Sequence, residues 1–291
     1  VRSTPAAGAV LTSNGEKIPF DEAHFAPMRD SSELLGNRTA LRARLDEDGY
    51  LLLRGVLDQQ DVLDLRRRYF ELLPAGYLAP DTEPVAGLFS GTVPAELSQY
   101  GVHGHPAHGF VRSERFQEFC SAPALSALTA ALLGGPTELL PRRILRHFWR
   151  GANRASRAHT DYEYMRLGTD QVLTTWIPIG DCPVATGGLV YLEGGPLDPE
   201  QLSRLRKVTD RVHDQRPISH DLAHTARETG RRWLWADFST GDLTVHSPHI
   251  VHATLDTSTE AMRLSTDLRF QLRGEPVDHR WTTAWSADDG A

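Results

Sequence analysis

Two stretches of this sequence carry residue types that hold metals. TVHSPHIVHATLD, residues 244–256, sets His246, His249 and His252 three residues apart, and SRAHTDYEY puts His159 two residues before Asp161. On an extended strand residues i and i+2 project to one face, so His159 and Asp161 can converge on one ion. A histidine from the distant triplet then completes a facial set of two imidazoles and one carboxylate, which leaves three positions of Fe(II) open for a cosubstrate and oxygen. A lone His-x-Asp recurs in many chains as a surface histidine beside an acid. Nor does strand parity choose among the triplet, because Pro248 cannot donate to a central ladder and marks a bend between His246 and His252. A second triplet, His103, His105 and His108 in HGHPAHG, lies in the Gly- and Pro-rich run 74–113 with no acid or cysteine nearby, so solvated loop side chains are expected there.

The elements that must position these residues follow from periodicity. Leu41 and Leu45 suit a helix over 38–48 ended by Gly49, YLLLRGVL reads as a buried strand, and Asp58 is placed to cap a helix over 59–73 with Val62, Leu65 and Tyr69 on one side. A third helix is expected at 123–133, from Pro123 to Gly134. After it come strand-like runs at 137–149, 172–179, 188–194, 233–238, 242–247, 250–255 and 263–272, interrupted by a single helical stretch at 198–208. Helices first and strands afterwards, without alternation, predict an antiparallel sheet or sandwich with helices on one face. Residues 1–32 are turn-rich and are expected to form an irregular arm, with 33–291 as one domain.

Composition removes several function classes. The chain of 291 residues is 40% hydrophobic and 24% charged, enough for a sizeable core. A net charge of −7, with no basic run longer than Arg66–Arg68, argues against a nucleic-acid groove or a polybasic membrane patch. Only Cys120 and Cys182 are present, too few for a disulfide framework, and no apolar run approaches the roughly 20 residues of a membrane span. A cytoplasmic protein acting on a small molecule is the expectation, with the oligomeric state left open.

The order of motifs is more specific than any one of them. DEDGYLLLRGVLD, HTD, VLTTWIPIGDCPVATGGLVYLEGG, GDLTVHSPHIVHA and AMRLSTDLRFQ follow one another over roughly residues 40–280, and in this order the sequence resembles the phytanoyl-CoA dioxygenase family of Fe(II)- and 2-oxoglutarate-dependent oxygenases. The resemblance implies a mainly β fold with N-terminal helices around a double-stranded β-helix, a cupin-like jelly-roll. It implies metal ligands at His159 and Asp161, and a distal histidine followed eleven residues later by an arginine for the far carboxylate of 2-oxoglutarate, which matches His252 and Arg263. Thr254 and Trp176 match positions lining the cosubstrate pocket. Arginine suits that task, since it meets a carboxylate with two parallel hydrogen bonds and stays charged. Arg263 also shares strand parity with Ser265, Asp267 and Arg269, while Leu264, Leu268, Phe270 and Leu272 form the other face.

The implied activity is O2-dependent oxidation of a C–H bond, hydroxylation above all, with 2-oxoglutarate decarboxylated to succinate. Related halogenases replace the carboxylate ligand with a small residue, so Asp161 disfavours halogenation, while desaturation, epimerisation and cyclisation stay open. The substrate expected is a natural-product intermediate of secondary metabolism or an amino-acid derivative, met by Arg146, Tyr162, Tyr164, Trp233 and Trp235 near the mouth. Two rivals share the ligand set: a Zn(II) hydrolase, which has no use for Arg263 in a pocket, and a non-catalytic jelly-roll binding protein.

Overall fold

Asn14 and Gly15 both take positive φ, 52° and 81°, and close a tight hairpin between β1 (Val10–Ser13) and β2 (Glu16–Pro19). The computed structural model describes residues 5, 8–152, 154–208 and 216–286. In it residues 8–32 of the arm expected to be irregular hold a regular hairpin, and the expectation is corrected there: Asn-Gly is the two-residue hairpin signal, which the turn-rich composition around it obscures. β3 (Phe25–Pro27) then runs parallel to β9 (Trp233–Trp235).

The first helices begin at side-chain caps. Asn37 accepts the Ala40 N–H at the start of α1 (Arg38–Asp48), which stops at the left-handed Gly49, and Asp58 accepts the Asp61 N–H at α2 (Gln59–Phe70), with β4 (Tyr50–Leu53) between them. Such caps are worth about 1 kcal/mol each. The run 74–113 is not all loop. His105 caps α3 (Pro106–Phe110), followed by α4 (Glu114–Cys120) and α5 (Pro123–Leu133), and both His105 and His108 are buried, leaving His103 alone of that triplet in solvent.

The strands come next. The 137–149 run breaks at Pro141 into β5 (Thr137–Leu139) and β6 (Ile144–Phe148). The short α6 (Tyr162–Met165) precedes β7 (Val172–Pro178) and β8 (Leu189–Leu192). Two helices rather than one then intervene, α7 (Pro199–Val208) and α8 (Leu222–Thr229), before β9, β10 (Leu243–His246), β11 (His252–Thr254) and β12 (Arg263–Leu272). The sequence hid α8 because its capping Asp221 sits among polar residues and its apolar face is short.

The strands make two facing sheets, a jelly-roll. The larger runs β4-β10-β7-β12-β5, with β6 also paired to β12, and the smaller runs β11-β8-β9-β3. Period-two alternation assigns every side chain to a layer. Leu51, Leu53, Val245, Leu173, Leu264 and Leu268 point outward into a core shared with α1, α2, α4 and α5, each worth roughly 1.5–3 kcal/mol relative to exposure. Val190, Leu192, Ala253 and Trp233 point out of the smaller sheet against α8 and the N-terminal hairpin, so helices flank both sheets instead of one. Between the sheets Tyr50, Leu52, Trp176, Leu189, Tyr191 and Phe238 fill one end. Polar residues of β12 and β7 face the other: Ser265 pairs with Pro178, Asp267 with Trp176 and Arg269 with Thr174.

Candidate metal centre and its surroundings

His159 and His252 exchange backbone hydrogen bonds of 3.0 and 2.9 Å, an antiparallel bridge that places their rings side by side with centroids 4.2 Å apart. Asp161 reaches them differently from the expectation. It stands in helical backbone at the start of α6, anchored where the next residue's N–H meets the Pro248 carbonyl at 2.8 Å, so a turn and not strand parity brings it in. Its Oδ1 lies 3.8 Å from His159 Nε2 and 3.7 Å from His252 Nε2. Each ring directs Nδ1 at a local carbonyl, Arg157 at 2.6 Å and Ile250 at 3.1 Å. That fixes the tautomer and leaves both Nε2 lone pairs facing the carboxylate. One donor atom from each of the three lies within 4.8 Å of the others, and the set of two imidazoles and a carboxylate fits a first-row divalent ion.

The charges fit as well. Burial pushes the His159 and His252 imidazoles down, His252 well below its ordinary value with His159 and His246 beside it, so both are neutral and able to ligate. Burial pushes the Asp161 carboxyl up, but Arg269, the His246 hydrogen bond and the charges around it outweigh this and hold it well below the carboxylate range. Oδ2 is held by Thr174 Oγ1 at 2.5 Å, His246 Nε2 at 3.3 Å and Arg269 Nη2 at 3.3 Å. His246 is itself steadied by Tyr191, whose hydroxyl lies 2.9 Å from Nδ1. For His246, at the end of the GDLTVH strand, the sequence left open a donor behind the ligands or a surface cap, and the structure gives the former. Arg269 was not singled out as a member of this cluster; its parity with Arg263 was the available signal.

Arg263 is 1% exposed and lies over the Phe148 ring, 4.5 Å from its centroid, with Nη1 donating to the Gly187 carbonyl. Its Nε and Nη2, which share one edge of the fork, have no hydrogen-bond partner among the described residues, nor do Ser265 Oγ and Trp176 Nε1. Burial pushes the guanidinium down to about 10, still charged at neutral pH. Buried donors left unpaired cost about 1–3 kcal/mol each, and these, set on adjacent inward positions of β12 and β7, match the far carboxylate of a dicarboxylic acid. Trp176 and Thr254 line the same cavity as His159 and His252, and Thr254 Oγ1 accepts the Ser156 N–H at 2.7 Å.

The residues expected at the mouth separate. Arg146 lines the cavity, donating to Asp267 at 2.5 Å, and Tyr164 packs edge-on to His159 at 5.4 Å. Tyr162 is 37% exposed and stacks 4.8 Å from His249, whose Nε2 is 3.7 Å from Asp170. Trp233 and Trp235 point out of the smaller sheet, where the Trp233 indole donates to the Leu222 carbonyl and Trp235 meets Phe20 at 5.1 Å.

Residues 45–265 match the family described as Phytanoyl-CoA dioxygenase (PhyH). The chain belongs to that family. As a phytanoyl-CoA dioxygenase family member it is an oxygenase, which displaces the hydrolase and the binding module. It is similar to the 1-deoxypentalenic acid 11-beta-hydroxylases of Streptomyces arenae, 23% identical over 284 residues covering 92% of this chain and 93% of that one, and Streptomyces exfoliatus, 24% identical over 276 residues covering 90% and 92%. Among solved structures it shares its fold with the epimerase SnoN in complex with Fe3+, alpha ketoglutarate and nogalamycin RO, at TM-score 0.57 and 20% identity over 84% of this chain and 86% of that one. The carbocyclase SnoK from nogalamycin biosynthesis has the same fold, at TM-score 0.54 and 16% identity over 87% and 89%.

Proposed function

We propose that this phytanoyl-CoA dioxygenase family member hydroxylates a C–H bond of a small natural-product intermediate, using Fe(II), 2-oxoglutarate and O2. One observation carries the reading: two neutral Nε2 lone pairs and the Asp161 Oδ1 converge beside a cavity that Trp176 and Thr254 also line, and on the inward face of β12 the Nε–Nη2 edge of Arg263 is buried and has no hydrogen-bond partner among the described residues. A hydrolase has no use for the second half of that pair. His159, Asp161 and His252 would hold the iron, and Arg263 with Ser265 and Trp176 would hold the far carboxylate of 2-oxoglutarate, with Thr254 against the cosubstrate. When bound, iron and 2-oxoglutarate supply the oxidising chemistry, with succinate and CO2 as coproducts.

The chain's own work is positioning. His246 and Thr174 orient Asp161, the two carbonyls orient the histidines, and the Trp176–Phe238 end of the cavity excludes water. The hydroxylase relatives, named for an acid of natural-product type, support both hydroxylation and the substrate class. None of the described helices is long and apolar enough to cross a membrane, and action on a diffusible intermediate in the cytoplasm agrees with the two free, buried thiols. Anaerobic addition of Fe(II) and 2-oxoglutarate tests the assignment: a weak visible charge-transfer band is expected, and its absence refutes it. Product mass spectrometry under air then identifies the substrate.

A further inference from the structure

The buried charges between the sheets are more positive than negative. Arg146 and Arg269 line the cavity with Asp267, Asp161 touches Arg269, and Arg263 is buried close to Arg146 and Asp267, three guanidiniums to two carboxylates. A divalent iron and a doubly charged 2-oxoglutarate cancel one another, so under the proposed function, on which this inference rests, one positive charge stays uncompensated in the loaded site. The surplus falls on Arg269. It is 4% exposed, lines the cavity with His159 and His252, and stacks on the Trp281 ring 4.6 Å from the centroid. Nη2 is engaged by Asp161, but Nε and Nη1 have no hydrogen-bond partner among the described residues. The next acid, Asp267, stands 3.9 Å from Nη1 and is already bonded to Arg146 at 2.5 Å.

The surroundings repeat the sign. Arg142 lies over the other side of this region, 5.8 Å from the Trp281 ring, Arg216 lies 4.3 Å from the Tyr164 ring, and Arg280 pairs with Asp278 at 2.5 Å. In a chain of net charge −7, these arginines stand together beside Arg269. A buried surplus of one charge, on a planar donor group stacked on the Trp281 ring, matches a single carboxylate carried on an apolar skeleton. A phosphate dianion would overshoot the balance.

We infer that the substrate is a monocarboxylic acid whose carboxylate seats on Arg269 beside Trp281, with Arg142 and Arg216 guiding its entry. The test uses the Mn(II)-loaded protein at saturating 2-oxoglutarate, titrated calorimetrically with benzoate, benzamide and phenylphosphonate. Benzoate should bind saturably and about tenfold or more tighter than benzamide, as a charge-assisted contact requires. Arg269→Gln should abolish that preference. Because Arg269 also touches Asp161, Arg142→Gln serves as the second variant: it should weaken benzoate about threefold, as loss of a partly screened charge does, and leave bound Mn(II) unchanged. Equal binding of benzoate and benzamide, no benzoate saturation below about 50 mM, tighter phenylphosphonate, or a preference that survives both substitutions would overturn the inference. The Fe(II)–2-oxoglutarate band, recorded on the same protein, separates the failures: no band means the proposed function is wrong, whereas a band without benzoate preference means only the anion seat is.

Discussion

His105 and His147 lie behind the larger sheet with ring centroids 6.2 Å apart, while His159, His246 and His252 lie in front of it with neighbouring centroids 4.2 and 4.6 Å apart. Both groups are buried and both draw on a histidine triplet in the sequence. Behind the sheet the partners are aromatic: His147 Nδ1 meets the Tyr69 hydroxyl at 2.9 Å, Tyr77, Tyr100 and Trp149 crowd the ring, and His105 caps α3. In front, the partner is Asp161. Histidine spacing therefore does not make a metal centre; a carboxylate brought to the same point does, and here a helix start has to deliver it.

The largest expected break in this contrast is His252→Ala. Iron content and turnover should fall together to background, while His147→Gln, with an equally buried ring, should retain stoichiometric iron; elemental analysis of the purified variants decides. Arg263→Ala comes next, raising the 2-oxoglutarate requirement about 10- to 150-fold, the equivalent of roughly 1.5–3 kcal/mol for a charged hydrogen-bonded contact, measured by titrating the visible band. His246→Ala should keep iron at saturating metal but weaken its affinity about 10- to 100-fold, because Asp161 loses an orienting donor.

A pH effect distinguishes the rear cluster. Burial, with His108 nearby, pushes His105 down to about 4, and burial pushes His147 well below its ordinary value. The unfolded chain therefore takes up protons first as pH falls below about 6.5, so the stability these groups contribute is complete above that value and is lost toward pH 4. Urea unfolding of the metal-loaded protein should lose about 2 kcal/mol for each such group between pH 7 and 5, and His105→Gln should flatten the slope. The smallest effect is assigned to His249→Ala, whose side chain sits outside against Tyr162: iron and rate should stay within twofold, a span of about 0.4 kcal/mol, and a lost iron would show the triplet misassigned.

The first helices were legible because each buries one face and so writes its period into the sequence; the strands of the larger sheet are buried on both faces, and β12 was legible because Arg263, Ser265, Asp267 and Arg269 share one parity and apolar residues the other. His159, Asp161, His252 and Arg263 were legible through motif order, although the route by which Asp161 arrives was not, because it opens α6 and follows no strand rule. Two features were hidden. Arg269 is an ordinary polar residue until Asp161 is placed beside it, which only the tertiary structure does. Trp235 had the composition of a binding aromatic, but β9 turns it outward to Phe20, and nothing local in WLWADF sets which face looks inward.

The N-terminal hairpin adds a matter of timing. Ser13 Oγ donates to the Thr254 carbonyl, a partner 241 positions later, and the Asn14 and Gly15 N–H groups bond the Asp256 carboxylate. β12, which joins β7 to β5 and β6, is also the last of the described strands to be made. At ribosomal rates of about 5–20 residues per second, the hairpin waits about 12–50 s for its partner to be synthesised. For about 5–19 s of that interval the nascent chain carries His159 and Asp161 with neither His252 nor Arg263 to meet them, and the centre can assemble only after residue 263 has been made.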